Sequence, residues 1–107
     1  MKLLTKELLA KLPALYAQEK LGDQAIAHVK FFTPDSGWTW YATEYDPETR
    51  QFFGLVDGLE VELGYFSLDE LESVKGPVGL GIERDLYWTP KTIGEIKEQL
   101  RQGGKTV

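Results

Sequence analysis

The chain lacks cysteine and has a single histidine, His28, among its 107 residues. The absence of cysteine excludes disulfide bonds, thiol catalysis and cysteine-ligated metal sites. One imidazole and dispersed carboxylates do not make up the ligand set that a metal ion requires, and no G-x-S-x-G motif supports nucleophilic catalysis. We therefore expect no catalytic residues, no metal and no cofactor, and a binding module rather than an enzyme.

Long apolar segments are also missing. No apolar run approaches the roughly 18 residues that identify a membrane-spanning helix. The segment MKLLTKELLAKL begins like a signal peptide, but Lys6, Glu7 and Lys11 interrupt its apolar residues. These features predict a cytoplasmic protein with no membrane partner.

Positive charge is absent from one stretch near the middle of the chain. The formal net charge is −5, and residues 57–72 contain six acids but no lysine or arginine. Proteins that bind the DNA backbone usually carry a basic stripe, so this charge disfavours nucleic acid as a partner. The acidic run predicts either a solvated surface or one that meets a basic partner, and we expect that partner to be a protein. The oligomeric state is left open.

The remaining pattern is that of one α+β domain, residues 1–107, in which 103–107 form a loose tail. Capping residues predict short helices that begin at Thr5, Ser67 and Thr92. Apolar, aromatic and threonine-rich segments between turn residues predict strands at 26–32, 38–45, 51–56, 59–66 and 82–88, with a hairpin turn at Asp57-Gly58 and clear alternation in 59–66. This order predicts a mostly antiparallel sheet of about five strands with short helices packed on one face.

His28 falls in the first predicted strand. By the two-residue period of a strand it shares a face with Lys30 rather than with Val29 and Phe31. We therefore expect the histidine to face solvent.

Aromatic residues crowd the second predicted strand. Strand periodicity places Trp38 and Trp40 on one face, and Tyr41 and Tyr45 on the other. Such rings usually belong to a core. Because both faces carry rings, we expect one face to be only partly covered and open to a binding partner. Stacking of single-stranded nucleic acid on that face is an alternative function.

Arg84 is the charged residue that is hardest to place. Periodicity gives it the inward face of the predicted strand 82–88, with Glu83 and Asp85 on the other face. An inward guanidinium needs a partner, since its desolvation alone costs several kcal/mol. The same rule gives Glu44 the face of the two tryptophans, so we expect Arg84 to pair with Glu44 or a nearby acid.

Such an ion pair is either structural or lines a binding pocket. In the second case a small enzyme with a carboxylate and arginine pocket is a further alternative. The candidate binding residues are Glu44, Arg84, Trp38, Trp40, Glu83 and Asp85.

Several segments of the chain resemble the DUF2958 family of bacterial proteins. With Trp40, they are FTPD (32–35), TEYDPE (43–48), FGLVDG (53–58), ELGYFSLDEL (62–71) and GLGIERDL (79–86). They occur in collinear order over nearly the whole chain. The resemblance implies no established activity and no catalytic residues. It implies a short bacterial protein, often encoded on plasmids and conjugative elements, that helps in DNA transfer, maintenance or defence evasion.

Overall fold

The structure is a computed structural model that describes residues 2–103. Of the predicted tail, residues 104–107 lie outside the described residues. In chain order the elements are α1 (Lys6–Lys11), a 3-10 helix (Glu19–Gln24), β1 (Ile26–Ala27), β2 (Val29–Phe32), β3 (Thr39–Asp46), β4 (Gln51–Asp57), β5 (Val61–Ser67), α2 (Leu68–Ser73), β6 (Glu83–Arg84), β7 (Lys91–Thr92) and α3 (Ile93–Arg101). No helix in this part of the chain is both long and apolar enough to cross a bilayer.

A five-stranded antiparallel sheet in the order β5-β4-β3-β2-β6 forms the centre of the fold. The short strands β1 and β7 pair separately as a two-stranded ribbon. The α+β class and the antiparallel sheet predicted from the sequence are therefore confirmed.

The three α-helices begin at the predicted capping residues. The side chains of Thr5 and Ser67 each accept a hydrogen bond from a backbone N–H in the first turn of α1 and α2. At α3, Thr92 and Glu95 cap each other's backbone N–H reciprocally. These bonds satisfy donors that the start of a helix otherwise leaves unpaired.

Helices pack on both faces of the sheet. The Trp40 face, formed by Phe31, Trp40, Ala42 and Phe52, packs against Leu8 and Leu12 at α1 and against Leu68 and Leu71 of α2. The Tyr41 face, formed by Lys30, Tyr41 and Leu55, packs against Ile93 and Ile96 of α3. The expectation of helices on one face therefore holds for α1 and α2, whereas α3 lies on the opposite face.

A β-bulge in β3 changes which of its residues share a face. Ala42 pairs with Gly54 but Glu44 pairs with Phe53, so Thr43 is the extra residue. The Thr43 hydroxyl donates to the carbonyl of Phe53 at 3.0 Å, which fixes the bulge. Beyond Thr43 the alternation of faces is reversed.

Two predictions of shared faces are wrong because of this bulge. Glu44 lies on the Tyr41 face, not with Trp38 and Trp40. Tyr45 lies on the Trp40 face, where its ring centroid is 4.5 Å from that of Phe52.

The predicted strand 82–88 is much shorter than expected, since only Glu83 and Arg84 pair with β2. The Asp85 side chain accepts a hydrogen bond from the backbone N–H of Tyr87 at 2.9 Å, and this turn ends the strand. Leu86 and Tyr87 are consequently 62% and 93% exposed, so Leu86 does not share an inward face with Arg84.

Candidate functional site

Glu44 is a buried carboxylate that holds a turn of backbone against the sheet. The residue is only 3% exposed. Its Oε1 accepts a hydrogen bond from the backbone N–H of Tyr16 at 2.8 Å, and its Oε2 accepts one from the backbone N–H of Gln18 at 2.7 Å. Charge-assisted hydrogen bonds of this length are among the stronger ones in proteins, and they offset the cost of burying the charge.

Gln18 extends this buried polar network to the neighbouring strands. Its side-chain Nε2 donates to the carbonyls of Ile26 at 3.0 Å and Thr43 at 2.8 Å, and its Oε1 accepts from the N–H of Ile26 at 2.8 Å. Gln18 is not among the residues predicted from the sequence, and no spacing or motif around it indicates that it is buried.

The carboxylate of Glu44 also fixes an uncommon conformation at Tyr16. This tyrosine has a φ of 73°, in the left-handed region that non-glycine residues rarely occupy. Its ring is largely exposed and stands near Tyr65 of β5. A side-chain hydrogen bond with Tyr16 is the main reason that the pKa of the Tyr65 phenol is raised.

Between these two tyrosines lies a mainly apolar pocket on the Tyr41 face. Its volume is about 190 Å³, and its lining includes Tyr16, Glu44, Phe53, Leu63, Tyr65 and Ile93. A cavity of ~150 Å³ with apolar walls accommodates benzene. The pocket therefore has room for one phenyl ring or a branched aliphatic side chain.

The outer strand β5 borders this pocket and carries a stripe of exposed apolar side chains. Val61, Leu63 and Tyr65 point to the Tyr41 face and are 47%, 47% and 53% exposed. Within residues 2–103, no other strand pairs with the outer side of β5. Exposed strand edges of this kind are sites where another chain can add a strand.

Backbone hydrogen bonds show which residues of β5 face outward. At the two ends of the β4–β5 ladder, the N–H of Gly58 donates to the carbonyl of Glu60, and the N–H of Leu68 donates to that of Arg50. Hydrogen-bonded pairs alternate along an antiparallel ladder. The even-numbered residues of β5 therefore bond to β4, and the backbone groups of Val61, Leu63 and Tyr65 point away from the sheet.

Acidic side chains flank the apolar stripe. Asp57, Glu60 and Glu62 make no ion pair with any other residue in the described range. The later acids of the same run differ, since Asp69 and Glu72 pair with Arg50 at 2.8 and 2.7 Å. The acidic run predicted from the sequence thus divides into three unpaired acids beside β5 and a later group of three, two of which pair with Arg50.

The two tryptophans predicted as binding residues pack against each other. Their ring centroids are 5.9 Å apart, and Trp40 is 8% exposed. Gly58 lies against the ring of Trp38, since a Cβ atom there would come within 2.2 Å of it. The ring of Trp38 is therefore packed between Trp40 and Gly58, although its edge reaches solvent.

Asp85 and Trp38 line a second cleft, of about 470 Å³. The Asp85 carboxylate is 3.5 Å from the buried Nζ of Lys30, which also lies 5.9 Å from the ring centre of Tyr41 and 5.7 Å from that of Trp88. Burial, with the charges of Asp57 and Asp85, raises the pKa of Tyr41 to about 12. Glu83 borders this region through its pairing with Phe32.

Arg84 lies on the Trp40 face, where it pairs with Phe31 in the β2–β6 ladder. Its guanidinium donates to the backbone carbonyls of Lys2 at 2.7 Å and Leu3 at 2.9 Å, which fastens the N-terminal segment to the sheet. Glu44 is on the other face, so the predicted Arg84–Glu44 pair is wrong. The six candidate residues therefore do not form one site. Of the six, only Glu44 lines the apolar pocket.

His28 is partly buried rather than facing solvent as predicted. Its backbone N–H donates to the carbonyl of Ala42 at 2.9 Å, and burial, followed by the charge of Lys11, lowers its pKa below 6.5. Within residues 2–103 no cluster of three or more histidine, aspartate or glutamate side chains is placed to hold a metal ion.

The lowered pKa of His28 predicts a pH-dependent stability. The unfolded chain binds a proton near pH 6.5 and the folded chain only at lower pH, so the free energy of unfolding should fall as the pH drops through 6.5. Urea denaturation of the wild type and His28→Gln at pH 7.5 and 5.5 measures this. The wild type should lose more stability on acidification than the variant, and equal losses would contradict the assignment.

Comparison with known proteins places the chain in a family. The model for a protein family of unknown function, DUF2958, matches residues 3–105. The chain belongs to the DUF2958 family. The resemblance predicted from the sequence motifs is thereby confirmed. No curated protein and no solved structure matches this DUF2958 protein.

Proposed function

We propose that this DUF2958 protein is a non-catalytic binding module that takes up an extended segment of a partner protein along β5. One observation carries the proposal: Val61, Leu63 and Tyr65 present outward backbone groups and half-exposed apolar side chains on an unpaired strand edge. In this mode of recognition, main-chain hydrogen bonds provide affinity and alternate side chains provide specificity.

The charge around β5 favours a basic partner. A strand added beside β5 points alternate side chains to the two faces of the sheet. Those on the Tyr41 face meet Leu63 and Tyr65, and those on the other face meet Glu62, with Glu60 close to the hairpin. The matching segment alternates apolar residues with lysine or arginine.

The same acids disfavour a second copy of the chain as the occupant. An antiparallel pair of two β5 strands centred on Val61 places Glu60 of one copy opposite Glu62 of the other. Like charges opposite each other in a sheet are destabilising. We therefore propose a different protein as the partner.

The proposed setting is the bacterial cytoplasm, where the module serves as an accessory protein of plasmids and other mobile genetic elements. The resemblance to DUF2958 supports this setting. The proposal of binding along β5 does not depend on the setting.

A displayed library of random 12-residue peptides tests the proposal. Peptides enriched on the wild type should alternate apolar residues with lysine or arginine, and their affinity is then measured by calorimetry. Leu63→Pro removes an outward N–H and leaves the ladder to β4 intact, so it should weaken binding at least tenfold more than Leu63→Ala.

The matched control is Leu86→Ala, at an exposed leucine remote from β5, which should leave the affinity unchanged. The proposal fails if no peptide is enriched, or if Leu63→Pro and Leu63→Ala bind the enriched peptide equally.

A further inference from the structure

The apolar pocket and the outer strand share two residues. Leu63 and Tyr65 belong to β5 and also line the pocket. Their side chains point to the Tyr41 face, the face on which the pocket opens. Every second side chain of a strand added beside β5 therefore points to this face, and one opposite Leu63 or Tyr65 lies next to the mouth of the pocket.

The polar groups at the base of the pocket are already hydrogen-bonded within the protein. Both carboxylate oxygens of Glu44 accept backbone N–H groups, and the Thr43 hydroxyl donates to the carbonyl of Phe53. The amide of Gln18 is likewise bonded through both of its atoms. A polar side chain in the pocket gives up its hydrogen bonds to water and meets mainly apolar walls, which costs free energy. An apolar side chain carries no such cost.

The volume limits the apolar side chain that fits. The pocket of about 190 Å³ exceeds the ~150 Å³ cavity that holds benzene. Alanine or valine leaves much of this space empty, whereas phenylalanine, leucine or methionine fills it.

Glu44 determines the shape of this pocket through its bonds to the backbone. It bonds the backbone of Tyr16, whose φ of 73° places the ring at the rim opposite Tyr65. Uncommon backbone conformations of this kind persist only where surrounding groups enforce them, and they concentrate at ligand sites. Glu44 is therefore a positioning residue.

From these observations we infer that the pocket selects its partner by one large apolar anchor residue, phenylalanine, leucine or methionine, in the segment bound along β5. This inference rests on the proposed function, because it assigns a specificity pocket to the same docking strand.

The first test replaces the anchor in a peptide enriched on the wild type. Changing the anchor to alanine should weaken binding 10- to 100-fold, and changing it to aspartate should abolish binding. Phe53→Ala enlarges the pocket and should move the preference from phenylalanine to tryptophan, a gain that a misfolded variant cannot imitate. If every residue is tolerated at each position of the peptide, the pocket has no role in selection.

Toluene is the second probe, because it needs no contact with the backbone of β5. In NMR titrations it should shift the methyl signals of Leu63 and Ile93, and much less those of Val78, an exposed residue elsewhere. Toluene binding without any peptide binding refutes the proposed function, although the pocket would still be a binding site for an apolar group. Peptide binding with no anchor preference and no toluene shifts supports the proposed function and refutes this inference.

A third readout separates the positioning role of Glu44 from general stability. Glu44→Gln should reduce the ratio of affinities for the phenylalanine-anchored and alanine-anchored peptides to about one. The affinity for the alanine-anchored peptide should change little. Parallel losses for both peptides would contradict a positioning role.

Discussion

Gly54→Ala should destabilise the fold by about 3 kcal/mol, at the upper end of the usual cost of overpacking. A Cβ atom at Gly54 would lie 1.9 Å from the carbonyl oxygen of Tyr41 and 3.0 Å from the Cα of Ala42. Both atoms belong to the backbone of β3, so relief requires separation of the two central strands beside the bulge. Urea denaturation followed by circular dichroism measures the loss.

Gly64→Ala is the matched control for this substitution. Gly64 is the residue directly opposite Gly54 in the β4–β5 ladder, and an added Cβ there meets no atom within 4 Å. The control should be neutral or stabilising by up to about 1 kcal/mol, because alanine is less flexible than glycine in the unfolded chain. Equal effects of the two substitutions would contradict the close approach of β3 and β4.

Glu44→Gln should cost about 3 kcal/mol of folding free energy, since a buried donor left without an acceptor costs ~1–3 kcal/mol and charged hydrogen bonds are lost as well. A glutamine side chain accepts through one atom only. Its NH2 group would face the backbone N–H of either Tyr16 or Gln18, both of which are donors.

The control for this loss is Glu48→Gln, at an exposed glutamate just beyond β3, which should change stability by less than about 0.5 kcal/mol. Denaturant midpoints of the two variants provide the comparison. A Glu44→Gln protein as stable as the Glu48→Gln protein would show that the buried carboxylate does not hold the turn.

Local chemistry made most of the fold predictable. The capping residues Thr5, Ser67 and Thr92 act within one helical turn, so their neighbours in sequence suffice to predict the helix starts. The Asp57-Gly58 turn and the alternation that follows likewise predict the β4–β5 hairpin.

The structure differs from the sequence-based predictions where one residue changes the geometry of a strand. The bulge at Thr43 reverses the faces beyond it, and the Asp85 turn ends β6 after two residues. Neither Thr43 nor Asp85 is preceded by glycine or proline, the usual sequence signals for such irregularities. The face of Glu44 was consequently not predictable.

The sequence indicated that Glu44 is unusual, and the residue is buried. Its hydrogen-bond partners could not be predicted from the sequence. They are backbone N–H groups of Tyr16 and Gln18, and every residue except proline has such a group. Arg84 illustrates the same limit, because its guanidinium contacts include the backbone carbonyls of Lys2 and Leu3.

The most direct test of the docking strand is amide hydrogen exchange along β5, measured by NMR with and without an enriched peptide. In the free protein the amides of Val61, Leu63 and Tyr65 should exchange much faster than those of Glu62 and Gly64, which bond to β4. On binding, the first three should become protected and the other two should change little. Protection that appears elsewhere, or that lacks this alternation, would contradict docking along β5.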